Sequence, residues 1–423
     1  MLENFKNMNV LVLGNGGREH SICSNLYKSK KINNLWCMPG NAGISKIAKF
    51  YKLNIDDKKE ILDFCIKKKI RLVIPGSEEF LAKGISDCLR LNGINVFGPS
   101  KKSSLLESSK IFTKLICKLG NINTAKWKII NNYQTALKKI KVSKFPIVIK
   151  LDKLAAGKGV LVANNYEEAK KFLTKVKQGE IGDKSSKIII EKKLEGKEAS
   201  FFYVVDGNNS RFIGSAQDYK RVGNGNTGLN TGGMGCISPS PFENKKNIEL
   251  IDKNFIKPTI KAMNYLGYPF KGILYAGLMF TNSDIFLIEY NIRLGDPECQ
   301  ALIARLKNDF LDICIATEKN KLKDIKINLD NKKSICIVMA SKGYPDEYKS
   351  GFAIKGIKKV GNNVNIYHAG TKLDKNKNII TSGGRVLNIV CKDKTLKKAK
   401  SKAYKLIKNI KCNNLFYRSD IGN

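Results

Sequence analysis

Hydrophobic and polar positions along the chain fall into three successive textures. From residue 9 to about 107, short apolar runs alternate with helical stretches: "NVLVLG", a helix from Glu19, "NNLWCMPG", a helix near Lys58 to Lys68, "IRLVIPG", a helix from Glu79, and "INVFGPS". Buried runs spaced by amphipathic helices predict βαβ units and a parallel sheet. The runs end in Gly or Pro-Gly loops, the carboxyl ends at which such sheets bind ligands.

From residue 108 to about 331 the pattern becomes antiparallel, with "FPIVIKLD", "GVLVAN", "KIIIEKKLEG", "EASFFYVVDG", "SRFIGSAQDY", "GILYAGLMFT" and "DIFLIEYNI", the last two joined by "TNSD" as a hairpin turn. The polar stretch "EKNKLKDIKINLDNKK" leads into a third block, 332 to 423, with strands "SICIVMAS", "VNIYHAG" and "RVLNIVC" and a helix near Leu396 to Ile410. A chain of 423 residues exceeds what one core supports. The expectation is a multidomain α/β and α+β protein divided at 1–107, 108–331 and 332–423.

Chemistry enters first at "NVLVLGNGGREH". The order Gly14, Asn15, Gly16, Gly17, Arg18, Glu19 lacks the third glycine of a dinucleotide fingerprint, and the next strand ends in Met38, Pro39, Gly40 and Asn41 without an acid. Two readings remain: a tight turn only, or a phosphate monoester site made of amides and a cation at a helix N-terminus. Further on, "IVIKLDKLAAGKGVLVA" sets Lys150 at a strand end before a small-residue loop, Ala155 to Gly159, around Lys158. With no Walker motif present, a lysine and a glycine loop remain able to clamp ATP phosphates from two sides.

In "DIFLIEYNIRLGDPE", strict strand alternation places Leu287, Glu289, Asn291 and Arg293 on one face, opposite Phe286, Ile288, Tyr290 and Ile292. A carboxylate and an amide two residues apart offer hard oxygens to magnesium. The run "QDYKRVGNGNTGLNTGGMG" is too rich in Gly and Asn for a regular element and reads as a lid or binding loop, with Asp218 and Lys220 facing one site.

Charge and cysteine content change this picture little. The net charge of +39 is spread from end to end, without a tail or an aromatic-studded RNA motif, so specific nucleic-acid binding is not expected. Eleven scattered cysteines without a C-x-x-C read as reduced core thiols. Two histidines, His20 and His368, are too few for a His-based zinc site. No stretch of about twenty apolar residues occurs, and a cytoplasmic protein without membrane partners is expected.

Taken together, "VLGNGGREH", "PGNAG", "FGPS", "LLESSKIFTK", "IVIKLDKLAAGKGV", "NTGGMG", "YAGLMF", "RLGDPECQ" and "HAGT" resemble, nearly end to end and in order, the phosphoribosylamine–glycine ligase family of the ATP-grasp superfamily. The resemblance implies a central ATP-grasp fold with a mobile lid at about 127–196. It implies ligation of glycine to 5-phosphoribosylamine with ATP, the second step of de novo purine synthesis, giving ADP and phosphate. It assigns Lys110, Lys150, Gly157, Lys158, Gly159, Glu191 and Glu198 to ATP, and Glu289 with Asn291 to Mg2+ or Mn2+. Gly16, Gly17, Arg18, Gly40, Asn41 and Gly295 would bind substrate, and Asp218, Lys220, Arg293 and Asp296 would serve catalysis. Small-molecule substrates and a monomer are implied. Ser77, Lys153, Tyr219 and Leu229 depart from the family pattern at positions usually Pro, Gly, His and Pro. The nearest rival is another ATP-grasp ligase acting on bicarbonate or formate.

Overall fold

The computed structural model describes residues 7–51, 54–153, 159–182, 187–357, 361 and 363–423. The first block forms a four-stranded parallel sheet of β1 (Met8–Gly14), β2 (Ile32–Pro39), β3 (Ile70–Pro75) and β4 (Asn95–Val96), in the order β2-β1-β3-β4. Every run expected there is a strand. Its apolar side chains explain this: Val10, Leu11, Val12 and Leu13 are all fully buried, as a central parallel strand covered on both faces requires.

A second sheet, antiparallel throughout, comprises β5 (Trp127–Ile130), β6 (Ile147–Leu151), β7 (Val160–Ala163) and β8 (Ile188–Lys192) in the order β5-β8-β6-β7. The helices Tyr133–Lys141 and Tyr166–Gln178 pack on its apolar face through Ala136, Ile140, Ala169 and Leu173.

The largest sheet begins with β9 (Lys197–Asp206) and β10 (Ser210–Asp218). A small hairpin, β11 (Arg221–Gly223) and β12 (Thr227–Asn230), then precedes β13 (Gly235–Ser238), β14 (Lys271–Phe280) and β15 (Ile285–Asn291). The third block adds β16 (Lys333–Ser341), β17 (Val364–His368), a hairpin of β18 (Thr371–Leu373) with β19 (Ile379–Thr381), β20 (Arg385–Asp393) and β21 (Leu415–Phe416). Strand order runs β15-β14-β9-β10-β13-β16-β20-β17, with β21 beside β16. The sheet therefore crosses the boundary expected at 331/332. Its link is β13, the end of the glycine run, which pairs with β10 on one side and with β16 on the other.

Alternation along β15 is interrupted. Gly277 pairs with Glu289, whereas its neighbour Leu278 pairs with Leu287, so Ile288 is an inserted, bulged residue. Leu287 consequently lies in the same buried cluster as Tyr290 and Ile292, and not on the face of Glu289 as strict alternation predicts. The core on that side is built from Phe201, Tyr203, Leu274, Leu278 and Leu287 against the helices Lys110–Leu119 and Lys257–Tyr265. The opposite face carries Phe202, Val204 and Tyr275 against Leu302, Phe310 and Leu311, which also close the first sheet. All eleven cysteines are free thiols, most of them buried, as the sequence suggests.

Candidate active site

Beyond the bulge, Glu289 and Asn291 face the same side of the large sheet as Glu198, Ser200, Asp218 and Tyr275. The register dictates this: Ser200 lies opposite both Ala216 and Gly277, Gly277 opposite Glu289, and residues two apart share a face. The bulged Ile288 presents its carbonyl to Lys150 Nζ at 3.2 Å, so the irregularity also anchors a lysine from the second sheet.

Lys150 and Lys114, 6% and 3% exposed, flank Glu191. One carboxylate oxygen lies 2.9 Å from Lys150 Nζ and the other 2.9 Å from Lys114 Nζ. Lys114 also donates to Thr124 Oγ1 at 2.7 Å, and burial lowers its pKa against the opposing pull of Glu191. One helical turn earlier, Lys110 Nζ stands 3.6 Å from Glu289 Oε2. Burial alone raises the pKa of Glu289, but Lys110, Lys220, Lys150 and Arg293 outweigh it and hold the carboxyl at about 2. The group is an anion at any working pH.

A hard cation fits this donor set. The Asn291 carboxamide makes no hydrogen bond to another described residue, and among the described residues no three His, Cys, Asp or Glu side chains cluster for a metal. Glu289 and Asn291 thus form a two-oxygen set of the kind magnesium completes with phosphate oxygens and water.

On the neighbouring strands, Lys220 Nζ is 2.9 Å from Glu198 Oε2 and 3.8 Å from Asp218 Oδ2. Glu198 and Lys220, expected in separate roles, are therefore ion partners. Burial raises the Asp218 pKa, against the attraction of Lys220. Arg293 is clamped by two carboxylates, Glu78 and Glu107, each at 2.9 Å. Asp296 accepts from Gln300 Nε2 at 2.8 Å and faces Arg385 at 3.5 Å. Glu298, 4% exposed, accepts from the Tyr275 hydroxyl at 3.1 Å. Burial, then the nearby Asp218, pushes its carboxyl up to about 7.

The glycine loop after β1 is occupied in ways the sequence does not reveal. The Gly16 amide, expected bare, donates to Glu19 Oε2 at 2.6 Å. Arg18, 9% exposed, pairs with Glu19 at 2.7 Å and donates to the Leu294 carbonyl at 3.0 Å. A Cβ on Gly17 would stand 2.2 Å from Asn388 Nδ2, so close packing alone demands that glycine. Gly40 has φ of +68°, which favours glycine. Asn41 uses its full capacity internally, donating to the Asn15 and His368 carbonyls at 2.8 Å and accepting from the Gly43 and Ile44 amides at 3.0 Å.

The expected residues thus converge as Lys110, Lys150, Glu191, Glu198, Asp218, Lys220, Glu289, Asn291 and Arg293 around one face. Gly295 and Asp296 lie beside the loop of Gly16 and Arg18, where a Cβ on Gly16 would stand 3.1 Å from Asp296 Oδ2. Gly157 and Lys158 lie outside the described residues, and Gly159 is buried next to them. Sequence reasoning missed Lys114, Glu107, Tyr275 and Glu298. Lys114 had a signal, its i+4 spacing from Lys110 on one helix.

Three family models match the chain in order: the N domain of phosphoribosylglycinamide synthetase at residues 8–107, its ATP-grasp (A) domain at 108–299 and its C domain at 334–423. The phosphoribosylamine–glycine ligase of Caldanaerobacter subterraneus is 43% identical, covering 98% of this chain and 99% of its own. A crystal structure of the Thermotoga maritima phosphoribosylamine–glycine ligase superposes with a TM-score of 0.85 at 32% identity, over 98% of this chain and all (100%) of that one. Biotin carboxylase from Campylobacter jejuni shares the fold alone, with a TM-score of 0.76 at 15% identity over 99% of this chain and 95% of that one. No helix among the described residues is long and apolar enough to cross a membrane. With models of all three parts matched in sequence order and relatives similar from end to end, this chain belongs to the phosphoribosylamine–glycine ligase family, ATP-grasp ligases of purine biosynthesis.

Proposed function

We propose that the chain activates the glycine carboxylate with ATP as glycyl phosphate and passes the acyl group to the amine of 5-phosphoribosylamine, releasing ADP and phosphate. The observation that carries this reading is the gathering of cations about one carboxylate: Lys110 Nζ lies 3.6 Å from Glu289 Oε2, Lys150 Nζ lies 3.2 Å from the adjoining Ile288 carbonyl, and Lys220 and Arg293 are near enough to lower the Glu289 pKa with them. That set contains no Ser, Thr or Cys, and its one carboxylate is surrounded by cations. It is a charge-neutralising frame, which is what transfer of a phosphoryl group between two anions requires.

An amine does not displace an oxide oxygen from a carboxylate at neutral pH, so the carboxylate must first acquire a leaving group. A glycine oxygen forms a bond to the γ-phosphorus as the bond to the ADP oxygen breaks. The amine then forms the C–N bond, phosphate leaves with the C–O electron pair, and the amine gives up a proton. In this reading Lys110, Lys150, Glu191 and Glu198 hold ATP, with Gly157, Lys158 and Gly159 as the loop over its phosphates. Lys114, through Glu191, keeps Lys150 in place. Glu289 and Asn291 hold Mg2+ or Mn2+, which neutralises phosphate charge when bound. Asp218, Lys220, Arg293, Gly295 and Asp296 face glycine and the amine, and Gly16, Gly17, Arg18 and Gly40 shape the phosphoribosyl end. Asn41 holds that end together from within, since all its hydrogen bonds are internal.

ADP release tests the reading when measured with glycine, with phosphoribosylamine and with both. Full turnover only with both, and none with bicarbonate or formate in place of glycine, is expected. Turnover with either acid would assign the site to the rival class.

A further inference from the structure

The glycine-rich run folds as the β11–β12 hairpin, and all of β12 is exposed. Its ladder has two paired positions, Arg221 with Asn230 and Gly223 with Thr227. A two-stranded hairpin this small is marginal alone in water. What holds it comes from the far end of the sequence.

Arg418, 1% exposed, donates from Nη1 to the Arg221 carbonyl at 2.9 Å and to Asn226 Oδ1 at 3.0 Å. Its Nε and Nη2 pair with Asp420 at 2.8 and 2.6 Å, which aims the fork. The guanidinium lies over the Tyr219 ring, 5.2 Å from its centroid. Asp420 Oδ2 also accepts from the Gly225 amide at 2.9 Å. The Ser419 amide donates to Asn224 Oδ1 at 3.0 Å, and Asn224 Nδ2 donates back to the Ser419 hydroxyl at 2.9 Å. Finally, the Gly422 amide donates to the Tyr219 hydroxyl at 3.0 Å.

Lys220 sits inside this clasp, between Tyr219 and Arg221. Its carbonyl accepts from the Thr231 amide and hydroxyl, both at 2.8 Å, so its backbone cannot move independently of the hairpin. We propose that Arg418 is a positioning residue for the ligase reaction, seating the 219–231 hairpin and so fixing where Lys220 presents its charge beside Asp218 and Glu198. This inference rests on the reading that Lys220 and Asp218 serve the glycine side. It also accounts for Tyr219, which departs from the usual histidine: its hydroxyl and its ring face are both engaged by the segment Arg418–Gly422.

The test pairs two readouts on the full chain. Trypsin reads the clasp by cleavage after the exposed Arg221, and steady-state kinetics read the site. Arg418→Ala is expected to speed that cleavage about tenfold and to lower kcat/KM for glycine about tenfold, with KM for ATP within about twofold. Added guanidinium ion should recover part of the glycine loss. Should the buried Arg418→Ala variant fail to fold, Asn224→Ala combined with Asn226→Gly cuts the tethers from the exposed side. The expected changes are then in the same direction, about threefold. Unchanged cleavage and glycine kinetics in a folded variant would overturn the proposal, as would equal losses for ATP and glycine. Faster cleavage with unchanged glycine kinetics would overturn the positioning role and would place the error in the reading of Lys220, not in the clasp.

Discussion

At the scale of single residues, the account turns on Glu289. Its carboxylate is held at about 2 by four cations against the effect of burial, so it enters the reaction charged and needs no proton exchange. Replacing it with alanine removes one of the two ligating side chains and leaves Lys110 without its carboxylate partner, while Lys150 keeps Glu191. Glu289→Ala should lose roughly 3 kcal/mol of transition-state stabilisation, on the order of a hundredfold in kcat. The side chain is partly exposed, and its strand is held by β14, so circular dichroism should report an intact fold. Near-normal turnover at saturating magnesium would contradict the assignment.

At the scale of elements, Gly17 shows how packing and chemistry share one loop. It opens the helix Gly17–Leu26 without a positive φ, so alanine is conformationally acceptable there. The missing space decides otherwise, since Asn388 and Gln300 occupy the positions a methyl would take. Gly17→Ala should therefore destabilise by roughly 1–3 kcal/mol in urea unfolding, whereas a midpoint at or above that of the parent chain would show that the neighbours yield. The parallel sheet was legible in the sequence because its central strands, β1 and β3, are largely buried apolar runs that end at Gly or Pro. The polar face of β15 was legible only in part. Glu289 and Asn291 do share a face, but the bulge at Ile288 moved Leu287 to the other side, and nothing in a run of apolar residues marks an inserted one. β13 was hidden for another reason: its four residues, "GCIS", are too few to show a pattern, and they form a strand between the edges of β10 and β16, which lie far apart in sequence. Glu107, Tyr275 and Glu298 became visible only when distant strands and helices met.

At the scale of the whole molecule, the helix Gly17–Leu26 of the first block and β17 of the third are joined through the two histidines. His20 Nδ1 accepts from the His368 amide at 2.8 Å, and their rings lie 5.6 Å apart. Burial lowers the pKa of His20 to about 3 and of His368 to about 4, from 6.5. Below pH 6.5 the unfolded chain therefore takes up protons that the folded chain refuses, and stability falls until the pH reaches these lowered values. Glu298 acts in the opposite sense, since its carboxyl, raised from 4.5 to about 7, binds its proton first in the folded state. A parent chain and a His20→Asn/His368→Asn variant share the Glu298 contribution. The difference between their melting temperatures isolates the histidines. Acidification from pH 6.5 to 5 should lower the melting temperature of the parent more than that of the variant. An equal or steeper decline in the variant would contradict the burial argument.

The central claim is chemical: the cations around Glu289 serve transfer of the γ-phosphoryl group to the glycine carboxylate. Attack by that carboxylate leaves one of its oxygens on phosphorus, and the amine later expels it in inorganic phosphate. Glycine carrying heavy oxygen in its carboxylate tests this most directly. The account predicts one labelled oxygen in each phosphate released, with ADP as the nucleotide product; unlabelled phosphate, or AMP with pyrophosphate, would contradict it.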